Sequence, residues 1–156
     1  MKGEPYRTGA LLIATLLFVS GVAVAQSVSG SIEKGYVTRG RSARAKVILE
    51  IPAGLHVNSN KPSTEFAIAT TVTATARDAK LTTPSYPSGH NRKFAFSETP
   101  LNVYEGRVIF GFGVSVPRNY RRKKVSVYVA VRYQACTEEV CYPPKTKRIT
   151  LTAAVK

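Results

Sequence analysis

Apolar and polar residues alternate with a period of two over much of the chain beyond residue 26. Val125, Val127, Val129, Val131 and Tyr133 interleave with Ser126, Tyr128, Ala130, Arg132 and Gln134. That is the pattern of a strand with one buried face. Ile149, Leu151, Ala153 and Val155 repeat it, as do Val108, Phe110, Phe112, Val114 and Val116, and Ala45, Val47, Leu49 and Ile51. A Thr- and Val-rich run from Phe66 to Ala76 predicts another strand, and weaker signals lie over Ser27–Val37 and Lys80–Thr83. Pro52-Ala53-Gly54, Pro87-Ser88-Gly89 and Pro117-Arg118-Asn119 punctuate these runs as turns. No stretch beyond residue 26 holds a helical period for ten residues. About seven short strands in one domain predict an all-β fold, a β-sandwich of immunoglobulin type.

Met1 to Ala25 has a different character. Lys2 and Arg7 precede an apolar run, Ala10 to Val19, and Ala23-Val24-Ala25 is a small-x-small cleavage site. This predicts an export signal over 1–25 and one mature domain over 26–156. No later segment approaches a membrane span, and no cysteine follows the cleavage site to take a lipid. Export predicts a periplasmic or otherwise external protein, where disulfides persist. The formal net charge is +14, of which the signal accounts for a single unit. Such a surface attracts anions of several kinds. Nucleic-acid motifs and aromatic platforms are absent, so a solvated basic surface suited to an anionic envelope or acidic partners is the simpler account.

Cys136 and Cys141, the only cysteines, lie between the last two predicted strands, followed by Pro143-Pro144. A hairpin connection there sets them opposite each other at a spacing a disulfide can bridge. As a staple the bond does little, about 2 kcal/mol for so small a ring. By strand parity Cys136 falls on the polar face with Arg132 and Gln134, unlike a core cystine. A redox pair, a structural bond and a metal site all remain open. His56 and His90 with the two cysteines are enough for a tetrahedral zinc or copper site, although the spacing fits no common finger.

Tyr133-Gln134-x-Cys136-x4-Cys141-x-Pro143-Pro144 followed by a basic strand resembles the N-terminal periplasmic domain of the transmembrane thiol–disulfide reductase DsbD. Gly54-Leu55-His56-Val57-Asn58-Ser59-Asn60-Lys61-Pro62 matches that family too, as do the segments from Pro87 to Phe94 and from Pro100 to Gly106. The resemblance implies an immunoglobulin-like fold and a redox-active disulfide with no other cofactor. It implies that Cys141 joins the partner and Cys136 resolves the mixed disulfide. An aromatic lid over the sulfurs maps onto Phe94 or Phe96, with Phe96 preferred as nearer Tyr104. His56 and Asn58 match a stretch that lines the site, and Tyr142 is presented beside Cys141 by the prolines. The lid here is basic, Arg92-Lys93, where relatives are acidic or aromatic.

The expected function is electron relay. The pair receives electrons from a membrane or thioredoxin-like reductant and passes them to oxidised envelope proteins, as a component of a protein-disulfide reductase. Because the sequence runs to Lys156 without a membrane electron-transfer segment or a thioredoxin-like domain, those are expected as separate partner proteins. No nucleic-acid partner is expected. The alternative is a non-catalytic β-sandwich binding module with a structural disulfide and a basic partner-binding surface.

Overall fold

The computed structural model describes residues 25–156; the predicted export signal therefore falls, except for Ala25, outside the described residues. Twelve strands follow in order: β1 Ser27–Ile32, β2 Tyr36–Val37, β3 Ser42–Glu50, β4 His56–Asn58, β5 Thr71–Ala76, β6 Lys80–Leu81, β7 His90–Arg92, β8 Leu101–Tyr104, β9 Arg107–Ser115, β10 Lys124–Tyr133, β11 Ala135–Cys136 and β12 Lys145–Val155. Seven of them build two antiparallel sheets. One has the order β1-β3-β9-β6, and in the other β12, β10 and β5 are neighbours. Taken in chain order as A to G, these are the ABED and GFC sheets of an immunoglobulin-like sandwich. The short β2 leaves the first sheet after a turn at Glu33–Gly35 and pairs parallel with β12.

The alternating residues read from the sequence form the core between the sheets. Val47, Leu49, Phe110, Val114, Val125, Val127, Val131 and Leu151 are all buried there. The predicted strand from Phe66 starts later than its Thr-rich composition suggests. Pairing with β10 begins at Thr71, and Phe66 is 88% exposed in the preceding loop. Nothing pairs with that loop's backbone as a strand, so residue preference alone could not extend β5.

The remaining strands β11-β4-β8-β7 make a third, small sheet. Each is an insertion into a connection of the sandwich. β4 lies between β3 and β5, β7 and β8 between β6 and β9, and β11 between β10 and β12. In this topology those three connections gather at the same end of the sandwich, and the small sheet knits them together there.

Candidate redox site

The cysteine loop is closed by its own side chains. Thr137 Oγ1 accepts from the backbone N–H groups of Glu139 and Val140 at 3.2 and 3.1 Å. The Thr137 N–H donates to Val140 O at 2.8 Å, and the Tyr142 N–H reaches back to Ala135 O at 2.8 Å. A threonine at the first turn position thus sets Cys136 and Cys141 opposite each other, and they form a disulfide with Cα atoms 4.0 Å apart. The two cysteines are unequally buried. Cys136 is 1% exposed whereas Cys141 is exposed, flanked by exposed Val140 and Tyr142.

The burial of Cys136 departs from the parity argument. β10 ends at Tyr133, opposite Lys145. After Gln134 the chain leaves that ladder and pairs Ala135 with Val57 and Cys136 with His56 of β4. The change of sheet resets which side faces inward, so counting along β10 gives the wrong face for Cys136.

Directly paired residues share a sheet face, which sets His56 beside Cys136. The imidazole is 1% exposed, and its Nε2 has no hydrogen-bond partner. Burial pushes its pKa below 6.5; the Glu105 and Glu138 carboxylates pull the other way, and Arg92 adds to the lowering. Phe94 stacks on the imidazole with centroids 4.1 Å apart, and Phe96 stacks on Phe94 at 5.3 Å. Phe94 is 2% exposed in a small cluster with Leu101 and Val103, whereas Phe96 is 46% exposed. The inner aromatic of this stack is therefore Phe94, and Phe96, the lid preferred from the sequence, is its half-exposed outer ring. Tyr104 faces elsewhere: its hydroxyl bonds Asn60 Oδ1 and Pro87 O.

Asn58 has a scaffolding position. Its Nδ2 donates to Ile68 O, and its carbonyl accepts from Thr70 Oγ1 at 2.6 Å, tying down the 59–70 loop. His90 is drawn to Glu105, 2.8 Å away. Among the described residues no group of three His, Cys, Asp or Glu side chains is arranged to hold a metal ion.

In the sequence Arg92 stands out only as a departure from the family, yet the structure gives it several contacts. Its guanidinium pairs with Glu105, beyond the end of β8, and with Glu138 in the cysteine loop. It also lies 5.2 Å from the centre of the Phe94 ring. Burial works to raise the Glu105 pKa, but the hydrogen bonds and charges of His90 and Arg92 outweigh it and hold it below the ordinary value. Arg92 thereby fastens the segment carrying Phe94 to the loop carrying the cysteines. Only the 46-residue separation of Arg92 from Glu138 hid this pair from the sequence.

The site is thus an immunoglobulin-like frame bearing one cystine at its loop end, with Cys141 exposed and Cys136 buried. The chain belongs to the family described as thiol:disulfide interchange protein DsbD, N-terminal, whose model matches residues 32–153. It is 32% identical over 81 residues to the thiol:disulfide interchange protein DsbD of Pseudoalteromonas atlantica, a match covering 51% of this chain and 13% of that protein. The chain thus corresponds to a small part of that relative's length. Among solved structures it is similar to the N-terminal domain of DsbD from Neisseria meningitidis in the reduced form, with 20% identity, 70% of this chain and 80% of that one covered, and a TM-score of 0.45. It is also similar to the N-terminal periplasmic domain of ScsB from Proteus mirabilis, with 12% identity, 82% and 44% covered, and a TM-score of 0.49.

Proposed function

We propose that the domain is an exported electron relay in which Cys141 exchanges with partners and Cys136 resolves. The unequal exposure of the two cysteines carries this reading. A thiolate of a reduced thioredoxin-fold partner attacks Sγ of Cys141, forming a mixed disulfide and releasing Cys136 as a thiolate that takes a proton. The partner's second thiolate then displaces Cys141, so the partner leaves oxidised and the pair is left reduced. In the second half-cycle the Cys141 thiolate attacks the disulfide of an oxidised envelope protein. Cys136 closes the internal bond again, and both electrons pass on. A membrane electron-transfer protein supplies the reductant chain.

His56 and Phe94 support a shielding role beside Cys136. A neutral imidazole, kept so by burial, can accept or return the Cys136 proton as the bond opens and closes. Phe94 with Phe96 outside it keeps small oxidants from the reduced pair until a docking partner displaces them. Tyr142 and Val140, exposed on either side of Cys141, are the first side chains a partner meets. Membership of the family and the apolar run of residues 10–19 support an exported location; among the described residues no helix is long and apolar enough to cross a membrane.

Trapping tests the order of attack. Cys136→Ala, incubated with an oxidised thioredoxin-fold protein after reduction, should accumulate a mixed disulfide through Cys141, and Cys141→Ala should not. Trapping by Cys141→Ala alone would reverse the roles, and failure of both, with a bond resistant to thioredoxin, would leave a structural cystine in a binding module.

A further inference from the structure

The end of the sandwich opposite the cystine is built from segments 36–42, 77–80, 115–124 and 154–156. Backbone bonds join them: Arg39 N–H to Lys156 O at 2.8 Å, Gly40 N–H to Val116 O at 2.9 Å and Val155 N–H to Lys123 O at 2.8 Å. A shallow cleft lined by Gly40, Asp78, Lys80 and Pro117 sets segment 77–80 beside the first and third. Across these segments Arg41, Arg118, Arg121, Arg122, Lys123 and Lys124 are exposed. Asp78 is the only acidic residue among them, paired with Arg122 at 3.5 Å. Glu33 flanks the pole in the turn before β2, whereas Glu98, Glu105, Glu138 and Glu139 belong to the other end, where they offset Arg92, Lys93, Lys145 and Lys147. The net positive charge is therefore concentrated at one pole.

We infer that this basic pole docks on an anionic bilayer surface and holds the cystine end away from it. Charge complementarity selects phosphate-bearing headgroups, and the character of the pole favours a membrane over a nucleic acid. Of its two aromatics Tyr120 is buried and the half-buried Tyr36 ring is capped by the Lys156 ammonium, 4.1 Å from its centre, and the large exposed apolar residues, Phe66, Phe96, Ile109, Tyr128, Val140 and Tyr142, all lie elsewhere. Bases therefore find no ring to stack on. Headgroups need none, since each cation on a convex end can meet a separate lipid phosphate. Without an apolar anchor the attachment is electrostatic and reversible, lost as salt shortens the Debye length below about 8 Å. The inference does not depend on the thiol chemistry.

Cosedimentation of the mature protein tests it, using vesicles of phosphatidylcholine alone or with a third phosphatidylglycerol. The expected result is binding to the anionic vesicles at low salt, loss at high salt, and none to the neutral ones. Arg121→Glu with Lys123→Glu should lower that binding at least tenfold without moving Tm. Lys145→Glu with Lys147→Glu, the same change in net charge on another surface, should lower it far less. Equal loss in both double variants would show a response to net charge alone and overturn the proposal. So would absence of binding to anionic vesicles, or tighter capture by a soluble polyanion such as heparin that competes the protein off them. On the vesicles, the rate at which a soluble thiol reduces Cys136–Cys141 should stay unchanged; a block of reduction would mean that the wrong pole faces the membrane.

Discussion

His56 couples the site to pH with a definite sign. Its folded pKa lies below 6.5, so between that lowered value and 6.5 the unfolded chain binds more protons than the folded one. Its contribution to stability is complete above 6.5 and is lost as pH falls through that window. Tm of the wild type should drop on acidification from pH 7, and His56→Phe, which can still stack on Phe94, should flatten that part of the profile. An unaltered profile in the variant would show an imidazole that titrates as if exposed. Tyr133 offers a second test: its hydroxyl is buried without a partner, and burial pushes its pKa up. Tyr133→Phe should therefore leave stability unchanged or raise it by about 1 kcal/mol in urea denaturation, because no hydrogen bond is lost with the hydroxyl. At this scale the sequence shows which residue types are present but not how each is surrounded. Cys136, Cys141, His56 and the two phenylalanines were legible as chemistry, but which sulfur is buried and which ring lies inside depend on a change of sheet at Gln134 that no residue type announces.

The segment bearing Phe94 and the cysteine loop are separate elements, and Arg92 is the side chain that ties them. Under the proposed shielding role Phe94 is the cover and Arg92 the fastening, which predicts a graded response when a small thiol reduces the disulfide. Phe94→Ala removes a buried ring, so it should cost about 3 kcal/mol of stability and accelerate reduction most. Arg92→Gln breaks only partly exposed ion pairs, each worth less than about 1 kcal/mol, and should speed reduction about two- to fivefold with Tm nearly unchanged. Glu138→Gln should act in the same direction, whereas Phe96→Ala, which removes only the half-exposed outer ring of the stack, should do least. If Phe96→Ala outpaced Phe94→Ala, the outer ring would be the effective cover. The long sandwich strands were legible because eight or more alternating residues make a period visible. The elements that build the site, β4, β7, β8 and β11, run for two to four residues. A period of two cannot be told from chance over so short a run. Their pairing is set by tertiary contact, which places the site at the junction of three insertions.

For the molecule as a whole, the question is how firmly the fold holds its only covalent cross-link. Cys136 and Cys141 are five apart in sequence, and closing so small a loop removes little entropy from the unfolded chain. The bond therefore stabilises the fold by about 2 kcal/mol. The core does not need it, since Val47, Leu49, Phe110, Val125, Val127, Val131 and Leu151 meet between the two sheets. By linkage, whatever the disulfide adds to the fold the fold returns to the disulfide. For a two-electron couple, 2 kcal/mol is worth about 40 mV. A fold that lends so little cannot by itself pull the bond down to the roughly −300 mV and below of structural cystines, so the couple should lie nearer the range of thioredoxin-fold proteins. Equilibration with a thioredoxin of known potential, read by alkylation of free thiols, measures this directly. The reduced domain should remain folded, with Tm lowered by about 5–10 °C. A couple that stays fully oxidised against thioredoxin, or a domain that unfolds on reduction, would show that the bond is held by far more than its loop size accounts for. In either case the electron relay would lose its thermodynamic basis.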